Sequence, residues 1–169
     1  MRLKLKVNGE EVNVEYAPGE SLLDVLRGRL DLKGAKRGCD GDGCGACAVL
    51  LDGRPIYSCM LLAPKAEGKE IMTIEGITND DQLNVIQRLF VERWATQCGY
   101  CTPGFIVAIE ALRRELESNP ARIRTNFKND LEKFVLDGLT SHICRCTGYL
   151  PIRQVAKEVV ETKAREIKG

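Results

Sequence analysis

Eight cysteines, placed in two groups in different halves of the chain, constrain this sequence more than any other feature. The run from Met1 to Val7 alternates polar and apolar residues, which is typical of a strand and not of the apolar core of an export signal. We therefore expect a cytoplasmic protein, in which structural disulfides are rare and clustered cysteines bind metal. The first group is Cys39, Cys44, Cys47 and Cys59, and the second is Cys98, Cys101, Cys144 and Cys146.

Length and charge limit the other possibilities. The 169 residues suffice for two small domains, and a hydrophobic content of 44% permits packed cores. Lys and Arg number 25 and Asp and Glu 24, so the balanced charge gives no reason to expect a nucleic acid or an anionic membrane as partner. No apolar stretch approaches the roughly 18 residues that a membrane span needs.

The first half of the chain has the pattern of two hairpins around one helix. Asn8-Gly9 and Asp52-Gly53 are hairpin turns between short alternating runs. Ser21 to Asp24 has the form of a capping box at the start of a helix. Two hairpins that clasp a helix make a β-grasp fold. The predicted strands are 2–7, 11–16, 48–51, 55–59 and 71–74.

The second half predicts four amphipathic helices that suit a small bundle. The fold class is therefore α+β, with an N-terminal β-grasp domain at 1–77 and a C-terminal four-helix bundle at 78–169. The strand pattern stops at this boundary, and Thr78-Asn79-Asp80 offers an N-cap. Trp94 continues the first apolar stripe and is predicted to lie in the bundle core. The four stripes begin at Leu83, Phe105, Leu131 and Ile152.

The first cysteine group has the C-x4-C-x2-C…C spacing of a plant-type [2Fe–2S] site. Each iron needs two thiolates, and three of the four would come from one loop. Glycines in this loop permit a positive φ and bring backbone N–H groups close to sulfur, which stabilises a reduced cluster. A structural zinc site is the alternative, but zinc loops usually pair two short knuckles. The loop glycines are Gly38, Gly41, Gly43 and Gly45.

The second cysteine group joins a C-x2-C pair to a C-x-C pair across a long connection. The sequence Thr102-Pro103 predicts a helix start directly after Cys101, because Thr is a good N-cap and Pro is favoured at the next position. The helix dipole there favours a thiolate or an anionic cluster. Pro151 opens a helix in the same way soon after Cys146. Spacing alone leaves a second [2Fe–2S] cluster, a zinc site and a redox dithiol open.

Three motifs, in family order and spread over most of the chain, resemble the xanthine oxidase family of molybdenum hydroxylases. The first resembles the first-cluster loop, and the other two resemble the second-cluster motifs. The presence of both motif sets in one chain indicates this family far more specifically than either set alone. The motifs are GCDGDGCGAC at 38–47, QCGYCTPG at 97–104 and ICRCTGY at 143–149.

The resemblance implies an electron-transfer subunit that has no catalytic residues or substrate pocket of its own. Such a subunit passes electrons from the molybdenum cofactor through two [2Fe–2S] clusters to FAD. All eight cysteines would be iron ligands. Gln97 and Cys146 stand at positions that reach the pterin of the molybdenum cofactor. The cofactor would lie in a large partner subunit and FAD in a medium one, in a heterotrimer or its dimer.

The chain departs from the family pattern in two places. The connection between Cys101 and Cys144 is longer than the family leads us to expect, with the extra residues at 119–129. His142 stands where the family usually carries Asn. It could be a ligand, a pH-sensitive neighbour of the cluster or a polar residue at a domain contact. Because four cysteines already complete the site, we expect the domain contact.

Two rival functions remain at this point. A free-standing ferredoxin-type carrier is compatible with the first cysteine group, although such a carrier does not need a second cluster in a bundle. A binding module with two structural zincs is compatible with both groups. The substrate of the complex is not encoded here, since relatives oxidise many substrates and select them in another subunit.

Overall fold

Two hairpins and one helix build the N-terminal half, as the turn sequences predict. The structure, a computed structural model, describes residues 1–78 and 82–168, without the side chains of Arg124 and Lys168. The five strands form one sheet in the order β2-β1-β5-β3-β4, in which only the β1–β5 pair is parallel. The elements are β1 (Arg2–Val7), β2 (Glu10–Glu15), α1 (Leu22–Gly28), β3 (Ala48–Leu51), β4 (Arg54–Tyr57) and β5 (Glu70–Met72).

The helix α1 lies across one face of this sheet. Ser21 caps it through a complete capping box with Asp24, as predicted. The buried face of α1 is wholly apolar, and it packs on the inward-facing residues of β1 and on Ile71 of β5. Burial of such side chains contributes about 1.5–3 kcal/mol each, which is what holds the helix in the grasp of the sheet. The residues that α1 buries are Leu22, Leu23, Val25 and Leu26.

Helices make up the C-terminal half. The long helices α3 and α6 are the centre of this half, and α2 and α5 pack against them. One face of β3 joins the helical core through Ala48 and Leu50, so the two halves share buried surface. The helices are α2 (Val85–Glu92), α3 (Thr102–Ser118), α4 (Pro120–Asn126), α5 (Leu131–Leu139) and α6 (Leu150–Lys168). Within 1–78 and 82–168, no helix has the length and apolar content needed to cross a membrane.

The structure corrects three details of the sequence prediction. A short helix, α4, fills part of the long connection, so the described part of this half has one helix more than the four predicted. Asn84 caps α2, while Thr78 accepts a hydrogen bond from Gln87 and residues 79–81 of the predicted cap lie outside the described part. Trp94 is not in the core: it lies beyond the end of α2 and is 83% exposed.

Candidate metal centres

The first cysteine loop runs between α1 and β3, and its backbone N–H groups point at sulfur. Gly41, Gly43 and Gly45 all have positive φ, which only glycine adopts without strain. Hydrogen bonding from the backbone and thiol of Cys44, and then from the N–H groups of Gly41 and Asp42, lowers the pKa of Cys39 to about 7. The loop thus brings backbone N–H groups towards the Cys39 sulfur.

The four thiols of this first group lie as two neighbouring pairs. The Cys44 thiol neighbours that of Cys39, and the Sγ atoms of Cys47 and Cys59 are 3.3 Å apart. Burial, followed by the nearby Cys47 thiol, raises the pKa of Cys59 to about 12. Cys59 comes from the chain just after β4, as the hairpin prediction requires. Three cysteines of one loop thus lie near a fourth that follows the bracing hairpin.

The second group also forms two pairs, at the start of α3 and in the loop before α6. Cys101 is the N-cap residue of α3, so it lies at the positive end of the helix dipole. Its thiol neighbours that of Cys144, and the Cys146 thiol neighbours that of Cys98. Burial is the main cause that raises the pKa of Cys101 to about 12. The inner pair is sheltered, and the outer pair, Cys98 and Cys146, is exposed.

The loop before α6 is shaped around the sulfur of Cys144. Burial alone would raise the pKa of Cys144, but hydrogen bonds from the side chain and backbone of Thr147 lower it. The hydroxyl of Tyr149 accepts a hydrogen bond from the Cys144 N–H. Thr102, by contrast, is the first residue of α3 and not its cap, and its hydroxyl bonds that of Thr96. These loop contacts preorganise the Cys144 ligand.

Both groups fit a two-iron cluster. All eight cysteines are free thiols, and none is engaged in a disulfide. Across the described ranges, no three side chains of His, Cys, Asp or Glu converge on one point that would suit a single metal ion. A [2Fe–2S] cluster needs pairs, because each of its irons takes two thiolates. A Cβ at Gly38 would come within 3.0 Å of the Cys44 sulfur, so the backbone there approaches the site closely.

Three hydrogen bonds join the two halves of the chain at the cysteine loops. The backbone N–H of Ile143, the residue before Cys144, donates to the carbonyl oxygen of Cys44 at 3.0 Å. The hydroxyl of Tyr100 donates to the carbonyl of Arg37 at 2.7 Å. The third bond, 2.8 Å long, runs from the hydroxyl of Tyr57 to the carbonyl of Ser141. The two groups are therefore held against each other by one backbone–backbone hydrogen bond and by two tyrosine hydroxyls that donate to backbone carbonyls.

Close packing of two glycines accompanies these bonds. A Cβ at Gly104, in the first turn of α3, would lie 2.3 Å from the carbonyl oxygen of Gly45. A Cβ at Gly45 would lie 2.4 Å from the ring of His142. His142 is buried beside Phe105, with ring centroids 5.2 Å apart, and neither ring nitrogen has a protein hydrogen-bond partner. Burial lowers the pKa of His142 to about 4. The residue therefore lies at the contact between the two halves, as predicted.

Sequence reasoning located the cysteines but missed most of what surrounds them. Gln97 is exposed beside Cys98, on the same rim as Cys146. No sequence pattern predicts the contacts made by Tyr57 and Gly104, because these contacts depend on how the two halves dock. The role of Thr147 had one signal, since it is part of the 143–149 motif. The structure places the cysteines of each group as neighbouring pairs, and the Ile143–Cys44 hydrogen bond joins the loops that carry the two groups. Their role as ligands stays a prediction.

Comparison with known protein families finds one match in each half of the chain. Residues 5–73 match the model of the 2Fe-2S iron-sulfur cluster binding domain. Residues 73–157 match the model of the [2Fe-2S] binding domain. The two matches divide the described chain close to the end of the sheet.

Relatives with known names cover almost the whole chain. The chain is 36% identical to the small FeS subunit of nicotinate dehydrogenase from Eubacterium barkeri over 159 residues, which is 94% of each protein. It is 37% identical to the iron-sulfur-binding subunit of xanthine dehydrogenase from Escherichia coli O157:H7 over 161 residues, which is 95% of each protein. Among solved structures, a chain of quinoline 2-oxidoreductase from Pseudomonas putida 86 superposes with a TM-score of 0.83 at 35% identity, and 98% of this chain covers 96% of that one.

Proposed function

The chain belongs to the family of small iron–sulfur subunits of molybdenum hydroxylases, and on that basis we propose how its residues carry electrons. Members of this family pass electrons from a molybdenum cofactor to FAD, both held by partner subunits. When bound, the two [2Fe–2S] clusters supply the one-electron redox centres. We assign Cys39, Cys44, Cys47 and Cys59 as ligands in the domain 1–77, and Cys98, Cys101, Cys144 and Cys146 in the domain 78–169.

The backbone contact between the cysteine loops carries the proposal. The Ile143 N–H donates to the Cys44 carbonyl at 3.0 Å, so a ligand residue of the first group lies one hydrogen bond and one peptide unit from Cys144 of the second. Electron transfer needs such short, ordered connections. Gly104 packs so closely on Gly45 that an added Cβ would lie 2.3 Å from its carbonyl oxygen, which keeps the two loops close together. This chain's role is thus to fix two redox centres in a set geometry.

Backbone dipoles stabilise the added negative charge of the reduced state at both sites. The N–H groups that donate to Cys39 favour the more negative, reduced state of the site. At the second group, the N-terminus of α3 at Cys101 has the same effect. The chain stabilises the electron with fixed dipoles, which do not need to reorganise when charge arrives.

The exposed rim of the second group is the proposed entry side for electrons. Cys98 and Cys146 are exposed in this chain, whereas Cys144 is buried. An exposed ligand pair lets a partner bring its cofactor close. We assign Gln97 and Cys146 as the residues that contact the pterin of the molybdenum cofactor in the large subunit. FAD would lie in a medium subunit, and the assembly would be a heterotrimer or its dimer in the cytoplasm.

A glutamine variant tests this assignment. Gln97→Ala should keep both clusters, because Gln97 is not a ligand. Loss of one hydrogen bond to the pterin, worth roughly 0.5–1.5 kcal/mol, should lower the retained molybdenum or slow reduction of the clusters. The assay is rapid mixing of the co-expressed complex with whichever of nicotinate, xanthine or an aldehyde reduces the wild type. Gln154→Ala, an exposed glutamine on α6, is the control and should change neither. Unchanged molybdenum content and rates in Gln97→Ala would remove Gln97 from the contact.

A further inference from the structure

Trp94 is the most exposed large apolar residue of the described part of the chain. Its side chain lies in the turn after α2 and is 83% exposed. Its backbone has a φ of +52°, in the left-handed region that a bulky residue rarely adopts. A residue that is both strained and exposed indicates a role outside the folding of this chain.

The turn has the hydrogen bonds of a helix end that normally calls for glycine. The Ala95 N–H donates to the Phe90 carbonyl at 2.9 Å, and the Trp94 N–H donates to the Val91 carbonyl at 3.2 Å. In this Schellman arrangement the left-handed position is usually glycine, because a Cβ there is strained. Tryptophan at this position therefore lowers stability, and an indole that is 83% exposed offsets little of this strain by burial.

The residues on either side hold the backbone of this turn in place. Arg93 forms a fork of hydrogen bonds to Glu158 of α6, with the shortest N···O distance at 3.0 Å. Ala95 is buried, with 1% exposure. The backbone of the turn therefore needs little reordering when a partner covers the indole.

The position of Trp94 identifies the partner. It precedes Gln97 by three residues, so the two Cα atoms are at most about 11 Å apart. Gln97, Cys98 and Cys146 form the exposed rim assigned above to the molybdenum subunit. The flavin subunit, by contrast, would approach the first cysteine group, in the other domain. A surface next to the rim is therefore continuous with the molybdenum-side interface.

We propose that Trp94 is an anchor residue that inserts its indole into an apolar pocket of the subunit that holds the molybdenum cofactor. This proposal rests on the proposed function. Tryptophan is among the commonest residues at the energetic centre of protein interfaces. The strain at Trp94 is then the cost of presenting a rigid aromatic side chain beside the point where electrons enter.

Replacement by glycine separates stability from assembly. Trp94→Gly should raise the melting temperature of the cluster-loaded chain by about 2–4 °C, because it relieves the left-handed strain. The same variant should bind the molybdenum subunit about 30-fold more weakly, as loss of an interface anchor does. The readouts are thermal unfolding of the chain and titration of the molybdenum subunit against it. Trp94→Asn, which also tolerates a positive φ, should lose the same affinity.

A lysine with the same backbone angle gives the control. Lys128 is exposed at a φ of +52° in the connection after α4. Lys128→Gly should also raise the melting temperature but leave the affinity unchanged. Unchanged affinity in Trp94→Gly, or release of the flavin subunit in place of the molybdenum subunit, would overturn the anchor. The affinity of Trp94→Gly and the behaviour of Gln97→Ala are separate results. Weaker binding in Trp94→Gly together with unchanged molybdenum content and rates in Gln97→Ala would leave the anchor standing and remove only the pterin contact.

Discussion

Gly104→Ala tests the backbone contact between the two cysteine loops. The added methyl would lie 2.3 Å from the Gly45 carbonyl oxygen, 3.1 Å from its carbonyl carbon and 3.2 Å from the Ala46 Cα. All three atoms are backbone, so no flexible side chain can move aside. To reach an ordinary contact of 3.4 Å, α3 and the first cysteine loop must separate by about 1 Å.

The expected loss of stability follows from two opposing effects. Overpacking against a rigid neighbour costs about 1–3 kcal/mol, and this site lies at the upper end because the backbone cannot yield. Alanine in a helix regains about 1 kcal/mol over glycine. We therefore expect Gly104→Ala to lose about 2 kcal/mol of unfolding free energy. The separation should also slow electron transfer between the two sites, because it lengthens the Ile143–Cys44 hydrogen bond.

Denaturant unfolding of the cluster-loaded chain, followed by circular dichroism, measures the loss. Gly28→Ala is the matched control, since Gly28 ends α1 and a Cβ there meets nothing within 4 Å. This control should be neutral or gain about 0.5–1 kcal/mol. Equal midpoints for the two variants would refute the close approach of Gly104 to Gly45.

Two further predictions concern the framework around the sites. Asn8→Ala should lose about 2 kcal/mol of unfolding free energy, measured by denaturant unfolding. The Asn8 amide oxygen accepts a hydrogen bond from the buried Thr73 N–H at 2.9 Å, and alanine is strained at a φ of +51°. Glu110→Gln should lose about 1–3 kcal/mol at pH 7, because it removes the partner of Arg113 and Arg114, which are themselves partly exposed. Although burial alone would raise it, these two guanidinium groups lower the pKa of Glu110 in the folded chain. In acid the unfolded chain therefore binds more protons than the folded chain, and the wild type loses this stability as the pH falls below the ordinary glutamate value of 4.5. The difference in unfolding free energy between the wild type and Glu110→Gln should then become smaller in unfolding curves taken at decreasing pH.

Exposed residues of the same types serve as controls for these two variants. Asn13→Ala on β2 and Glu92→Gln on α2 change exposed side chains and should stay within about 0.5 kcal/mol of the wild type. A loss in Asn13→Ala as large as that in Asn8→Ala would show that the Thr73 hydrogen bond is not the cause. A difference in unfolding free energy between Glu110→Gln and the wild type that stays constant at all pH values would contradict the lowered pKa of Glu110.

Local chemistry made much of this fold predictable from the sequence. The turns at Asn8-Gly9 and Asp52-Gly53 and the capping box at Ser21 specify their structure within a few residues, and the structure confirms them. The α+β class and the molybdenum hydroxylase family, predicted from short motifs, are confirmed by the fold and by the relatives. The spacings between cysteines predict the two groups, because most members of each group lie within a few residues of another member along the chain.

The errors arose where tertiary packing or an extra segment decides the outcome. Trp94 continues the apolar stripe of α2, but the helix ends at Glu92 and the left-handed turn at residue 94 rotates the indole to the surface. The helix α4 had no clear stripe in its seven residues. The contacts of Gly104 and Tyr57 depend on how the two halves dock, which no local pattern encodes. The positions of Gln97 and Cys146 against a cofactor stay a prediction.

Paramagnetic resonance of the reduced protein, together with metal analysis, tests the central claim most directly. Wild-type protein purified without oxygen should contain about four irons and four sulfides per chain and show two signals. Cys44→Ser should remove one signal and Cys101→Ser the other, because their thiols belong to separate groups. Zinc in place of iron at either group, or the loss of both signals from one substitution in a chain that stays folded, would contradict two independent [2Fe–2S] sites.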